Sequence, residues 1–189
     1  MNVLQTFFYV LMASWFLTEI YYKQALVSGK KDKKGKDKST LDLLWIVILL
    51  SITSAMFAKN MIREIISESI WINYLGIFLL ILGIFGRLII IRSLGKYFTV
   101  DVTIKEDHQI KKDGFYSVLR HPSYTASLLT FLGLGLYLNN WTALAVAFIP
   151  PFLAFLYRIK IEEEALTEQF GQDYTDYKNQ TKKLIPFIY

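Results

Sequence analysis

The chain has no cysteine among its 189 residues. That excludes a disulfide scaffold, a thiolate metal site and a catalytic thiol. Histidine is nearly as scarce. The two present, His108 and His121, stand in different local settings, and no carboxylate spacing around them makes a metal site. Neither the Gly-rich dinucleotide fingerprint nor the phosphate-binding loop spacing occurs, so a dinucleotide fold and an NTPase are unsupported. Ser123 has no pattern of base and orienting acid beside it, which leaves serine nucleophile chemistry weak. Charge is also thin, at 20% Asp, Glu, Lys and Arg, where roughly 25% is usual in soluble domains.

Apolar residues fill the gap: 53% of the chain is hydrophobic and 16% aromatic, with a mean hydropathy of +0.34. The charge-free stretches are long. Glu19 is the single charge between residues 3 and 22, and none occurs in 43–58 or in 70–86. Between Arg120 and Arg158 lie 37 residues without one. As a helix these would run roughly 55 Å at about 1.5 Å per residue. That is nearly twice a hydrocarbon core of about 30 Å, so the segment must fold back on itself. Asn139-Asn140 is the natural turn, giving spans near 122–138 and 141–157. Pro150 and Pro151 are expected to kink the second. Gly133 and Gly135 lie inside the first, where small residues serve helix packing.

The expected fold is therefore all-α: an integral membrane bundle of five transmembrane helices in a single domain, 1–189. Residues 1–69 supply two N-terminal spans with a basic loop at 28–40. Residues 70–189 supply the third span and a catalytic core. The basic loop carries six lysines (30, 31, 33, 34, 36 and 38) against Asp32 and Asp37, most of the formal net charge of +5. The loop reads as a solvated topology determinant; an anionic-lipid or nucleic-acid site is the lesser alternative, since no aromatics are interleaved with the lysines. The positive-inside rule puts it in the cytoplasm, the N-terminus outside and the C-terminus inside. No Lys or Arg precedes the first apolar segment, the reverse of a signal peptide, so it is expected to be a retained anchor.

Two cytoplasmic pieces remain, 93–121 and 158–189. Residues 98–104 alternate as a short extended stretch would. Arg120-His121, opening the fourth span at Pro122, reads on its own as an interfacial pair with Tyr116 and Tyr124 as belt aromatics. In the tail, Arg158, Glu162, Leu166, Phe170 and Tyr174 recur every fourth residue and are expected to share one helix face. Lys160, Glu163, Glu164 and Glu168 fall off that line and read as solvated, Lys160–Glu164 as a surface pair. Arg158 and Glu162 continue an apolar stripe where the last span leaves the bilayer, as a structural salt bridge or as part of a functional site. A patch of His, Tyr, Arg and Glu at the cytoplasmic ends of apolar helices suits a polar cofactor meeting a lipophilic substrate.

Two blocks are recognisable. Gly114-Phe115-Tyr116-Ser117-Val118-Leu119-Arg120-His121-Pro122-Ser123-Tyr124 and Arg158-x-x-x-Glu162-Glu163-x-x-Leu166-x-x-x-Phe170-Gly171-x-x-Tyr174-x-x-Tyr177 resemble the isoprenylcysteine carboxyl methyltransferase family, within a wider group that includes membrane phospholipid methyltransferases. The resemblance covers roughly residues 96–189. It implies S-adenosylmethionine as methyl donor, in a cytoplasmic pocket built from the 93–121 loop and the C-terminal helix. By position it implies cofactor contacts from Thr103, from His108, Gln109, Ile110 and Lys111, from Tyr116, from His121, Pro122, Ser123 and Tyr124, and from Glu162. Arg158 would hold the acceptor, and His121 would be the base if the acceptor needed one; no metal is implied. The substrate would be a lipophilic or prenylated molecule entering laterally from the bilayer.

The chain departs from many family members in carrying Ala126 where they have glycine, and it is short, as prokaryotic relatives are. A prokaryotic cell membrane is the expected location, or the endoplasmic reticulum if the source is eukaryotic. Alternative activities are N-methylation of a phospholipid amine and O-methylation of a lipophilic phenol. An NADPH-dependent sterol-type reductase is disfavoured, because its tail carries Asp, Cys and Lys where this chain has Glu162-Glu163. A non-catalytic membrane protein is the remaining rival.

Overall fold

The computed structural model describes residues 2–25, 33–34, 38–95, 103–104, 109–186 and 188–189. The long apolar runs become helices α1 (Val3–Ala25), α2 (Lys38–Met61), α3 (Trp71–Leu94), α4 (Pro122–Leu138) and α5 (Trp141–Phe170). A short helix, α6 (Gln172–Gln180), follows. Extended structure among the described residues amounts to isolated bridges and one two-residue antiparallel ladder. In the ladder β1 (Lys33–Lys34) pairs with β2 (Thr103–Ile104). The fold is all-α.

Among the described residues four helices, α1, α2, α3 and α5, are long and apolar enough to cross a membrane. At 17 residues, α4 is about 25 Å long, short of a hydrocarbon core of about 30 Å. It is also the central helix: 12 of its 17 residues are buried, and it packs against α2, α3 and α5. The other long helices turn large apolar side chains outward, among them Leu17, Phe57, Phe78 and Leu153. In water such a surface would be a liability; against acyl chains it is solvated.

Acyl chains are as apolar as leucine, so contact between helices in a membrane comes from close packing and polar links. The α3–α4 seam shows the first. A Cβ on Gly133 of α4 would lie 2.6 Å from Leu80 N and 2.7 Å from Gly76 O. Gly83 sits equally close to the α4 backbone at Thr130. Gly135 faces Leu144 of α5 in the same way, so Gly133 and Gly135 serve packing, as their place in a span suggests. The α1 helix touches α3 and packs on α4 through the Phe8–Tyr137 stack, 3.8 Å between ring centroids, and the edge-on Trp15–Phe131 pair.

The α4–α5 turn is where the asparagines predict it. Asn139 takes a left-handed φ of 52°, which asparagine tolerates better than most residues. Asn140 caps α5 by accepting from Ala143 N at 2.8 Å. Their amides also tie this end of the bundle together: Asn140 Nδ2 donates to Ile62 O at 2.6 Å and Asn139 Nδ2 to Ser67 O at 2.7 Å.

The expected span 141–157 is the first part of a helix that runs on through Pro150 and Pro151 to Phe170, carrying Arg158 and Glu162 with it. It ends at Gly171, whose φ of 57° is one that glycine adopts without a Cβ clash. The chain then turns, so Tyr174 belongs to α6 and does not continue the α5 face of Arg158 and Glu162, although it is buried. Of the extended stretch 98–104, Thr103–Ile104 forms β2, and the rest lies outside the described residues.

Candidate active site

The site is assembled at the end of the bundle opposite the asparagine turn. The C-terminal tail folds back against the segment preceding α4: Lys182 N donates to Val118 O at 3.0 Å, Arg120 N to Lys182 O at 2.8 Å and His121 N to Lys183 O at 3.2 Å. The Tyr177 hydroxyl donates to Tyr116 O at 2.7 Å. Burial, most of all, holds the Tyr116 and Tyr174 phenols well above their ordinary value and pushes Tyr177 up to about 12. All three are therefore neutral donors at physiological pH.

Within this frame Tyr124, in the first turn of α4, joins the two tail residues singled out by sequence. Its hydroxyl accepts from Arg158 Nε at 3.0 Å and donates to Glu162 Oε2 at 3.0 Å. Its ring lies between His121, 5.7 Å away and 19° from parallel, and Phe155, 5.0 Å away and 29° from parallel. Arg158 is 3% exposed, an unusual place for a guanidinium. Its Nη1 also donates to the buried Thr40 Oγ1 at 3.3 Å, so the start of α2 contributes to the site. The Glu162 side chain stays 30% exposed and can accept from a polar ligand.

A second polar group lies behind the first. Arg120 Nε donates to Glu163 Oε1 at 2.8 Å, and His121 Nε2 lies 3.2 Å from the same oxygen. Lys178 Nζ is 3.9 Å from Glu163 Oε2. Arg120 Nη1 also donates to the carbonyls of Lys178 and Thr181, at 3.0 and 2.5 Å. His121 Nδ1 is 3.8 Å from Glu162 Oε2, so the ring stands between the two carboxylates.

Glu163 is thus buried, not solvated as expected. Arg158 and Glu162 mark one line on α5, but Phe155, Ile159, Glu163 and Thr167 form a parallel line that also faces inward. The buried Phe155 and Ile159 are the sequence signal for it. Arg120 and His121 are likewise not an interfacial pair: His121 is 5% exposed and the Arg120 side chain 9%. Lys160 and Glu164 are the exposed pair expected, 4.0 Å apart.

The structure brings Tyr116, His121, Pro122, Ser123, Tyr124, Arg158 and Glu162 to one end of the bundle, where all but Tyr124 and Glu162 are buried. Thr103 lies in β2, which runs against α5, and its side chain is not among the described ones. His108 lies outside the described residues. Gln109 is exposed and Ile110 half-buried, while Lys111 turns its ammonium to Asp113, 3.0 Å away. Sequence reasoning missed Arg120, Glu163 and Thr40, and also Glu19 and Arg87. Each of the last two is a lone charge in an apolar run, which is the signal that could have found them.

Comparisons with known proteins give the family of the chain. A family model described as phospholipid methyltransferase matches residues 71–173, more than half the chain. Protein-S-isoprenylcysteine O-methyltransferase B of Arabidopsis thaliana is 30% identical over 162 residues, covering 82% of each chain. The protein-S-isoprenylcysteine O-methyltransferase of Saccharomyces cerevisiae is 38% identical over 116 residues, 60% of this chain and 48% of the yeast protein. Among solved structures, the eukaryotic intramembrane Ras methyltransferase ICMT superposes with a TM-score of 0.58 at 27% identity, covering 80% of this chain and 53% of that one. The chain thus spans about half the length of the yeast protein and of the solved structure. A plant and a yeast give no support to a prokaryotic setting. With its apolar helices and these relatives, the chain is a multi-pass membrane protein that belongs to the isoprenylcysteine carboxyl methyltransferase family.

Proposed function

We propose that this protein transfers a methyl group from S-adenosylmethionine to the carboxylate of an isoprenylcysteine-like acceptor at the cytoplasmic face of a membrane. The observation that carries the reading is the buried Arg158 guanidinium, oriented by Tyr124 and Thr40 beside the partly exposed Glu162. The names of the relatives supply the reaction.

The donor set fits the cofactor. Glu162 offers a carboxylate to an ammonium or to ribose hydroxyls, and Tyr116, His121 and Tyr124 supply aromatic faces and hydrogen-bonding edges. Gln109 to Lys111, with Thr103 and His108, would line the same pocket from the 93–121 loop, and Pro122 and Ser123 from the start of α4. S-adenosylmethionine, when bound, supplies an electrophilic methyl on a sulfonium.

The chain's own residues do the rest. An acceptor carboxylate, with a reference pKa of about 4, is already ionised near pH 7, so no general base is needed. Arg158 is a permanently charged planar fork that aligns such a carboxylate. Tyr124 fixes the guanidinium from the side, which makes the alignment a property of the resting site. Positioning of this kind can supply roughly 7–11 kcal/mol of a displacement barrier, and closure by the C-terminal tail excludes water. His121 Nε2 shares a hydrogen bond with Glu163 Oε1, which holds the ring beside Tyr124.

The five-span topology, with the enclosed α4 as its fourth span, and a single domain over 1–189 belong to the same reading. Asn139 and Asn140 would lie outside and the lysine loop inside. The asparagine end carries two basic residues, Lys59 and Arg63, against the six lysines of the 28–40 loop, the Lys and Arg asymmetry by which the positive-inside rule orients a bundle. The acceptor's isoprenoid tail would stay in the bilayer.

The test is binding of S-adenosylhomocysteine to the purified protein in nanodiscs, followed by transfer of labelled methyl to a farnesylcysteine acceptor. Arg158→Ala should abolish transfer and Glu162→Ala should weaken binding. Absence of binding by the unsubstituted protein would refute the reading.

A further inference from the structure

Two charges that the site above does not use lie inside the apolar bundle. Glu19 is the lone charge of residues 3–22, and Arg87 is the first charge after the uncharged run 70–86. They meet across the bundle: Arg87 Nε donates to Glu19 Oε1 at 2.5 Å and Nη2 to Oε2 at 3.1 Å, a two-pronged fork. Their side chains are 14% and 13% exposed. A buried ion pair is weak evidence for stability, because desolvation of both charges offsets their attraction. Ionisable groups held in apolar spans mark function more often.

The third arm of the guanidinium shows where the pair acts. Arg87 Nη1 donates to Ser123 Oγ at 2.5 Å. Ser123 is the second residue of α4, 9% exposed, and its carbonyl accepts from Ser127 Oγ at 3.1 Å. The next residue is Tyr124, whose hydroxyl joins Arg158 to Glu162. The Arg87 charge also reaches the Tyr116 phenol, where it opposes the upward push of burial and of the Glu162 carboxylate.

We propose that Arg87, held by Glu19, is a positioning residue for methyl transfer: through Ser123 it fixes the first turn of α4 and so sets Tyr124 between Arg158 and Glu162. This makes α1 part of the reaction machinery. The inference rests on the methyltransferase reading.

Two changes separate positioning from mere structure. The double variant Glu19→Met with Arg87→Met replaces the ion pair by apolar side chains, which commonly leaves stability intact. Ser123→Ala keeps the ion pair and removes only its third arm. Each is compared with wild type by thermal unfolding in nanodiscs, by hydrogen–deuterium exchange over residues 122–126, and by kcat and KM for methyl transfer. The expected result is an unfolding midpoint close to wild type in the double variant and modestly lower in Ser123→Ala, faster exchange in that turn in both, and a kcat lowered about tenfold or more with little change in the acceptor KM. Unchanged exchange in Ser123→Ala would overturn the proposal even if the double variant failed to fold. So would a kcat within about twofold of wild type in either variant. A wild type that transferred no methyl group would refute the methyltransferase reading instead, and the exchange result would still decide whether Arg87 holds this turn.

Discussion

Removing one oxygen tests the geometry most finely. In Tyr124→Phe the ring keeps its stacking between His121 and Phe155, and the two hydrogen bonds of the hydroxyl, each 3.0 Å long, disappear together. Both involve an ionised partner, and such bonds contribute about 1.5–3 kcal/mol each. The loss in stability is smaller than their sum, because Arg158 retains Thr40 and Glu162 retains solvent; about 2 kcal/mol is expected. The effect on catalysis is larger in proportion. Arg158 loses its side support, so the acceptor carboxylate is held less well along the line of displacement. Misplacement of about 1 Å can cost roughly 100-fold, and kcat/KM should fall by about 10- to 100-fold. The assay is labelled-methyl transfer to a farnesylcysteine acceptor in nanodiscs, with thermal unfolding measured on the same samples. A Tyr124→Phe protein with wild-type kcat/KM would show that the Arg158–Tyr124–Glu162 linkage does not organise the reaction.

Other consequences follow from the packing and the second polar group. Glu163→Gln leaves the Arg120 guanidinium facing a neutral amide behind the site, and should cost about 2–4 kcal/mol; an unfolding midpoint equal to wild type would contradict this. Gly133→Ala drives a methyl into the α3 backbone, and a loss of about 1–3 kcal/mol or more is expected from overpacking, read as a lower unfolding midpoint. Asn140→Ala removes the cap of α5 and the Ile62 contact, for about 1–2 kcal/mol; because it acts at the far end of the bundle, affinity for S-adenosylhomocysteine should not change.

The fold was largely legible, for identifiable reasons. The uncharged stretch from 121 to 157 and its two asparagines gave the α4 and α5 boundary at the observed residues, because bilayer thickness limits how far an apolar helix can run. The four-residue recurrence from Arg158 to Phe170 showed that the helix continues beyond the span, but its end was hidden, because the same spacing runs on to Tyr174 across the turn at Gly171. In the site, Arg158 and Glu162 stood out as charges on an apolar stripe. Glu163 did not, since a helix packed on two sides has two inward lines. Glu19 and Arg87 are 68 residues apart in sequence, and only the tertiary structure turns two solitary charges of opposite sign into a pair. The contact between the lysine loop and the 93–121 loop, through Lys33–Lys34 and Thr103–Ile104, is tertiary in the same way.

The central claim is that the acceptor is a carboxylate aligned by Arg158. It is tested most directly by the chemistry of the product. Purified protein in nanodiscs is given labelled S-adenosylmethionine together with a farnesylcysteine acceptor and membrane phospholipids, and the products are treated with base. The account predicts label on farnesylcysteine that base releases as volatile methanol, and none from Arg158→Ala. Base-stable label in a phospholipid headgroup, or ester formation undiminished in Arg158→Ala, would contradict it.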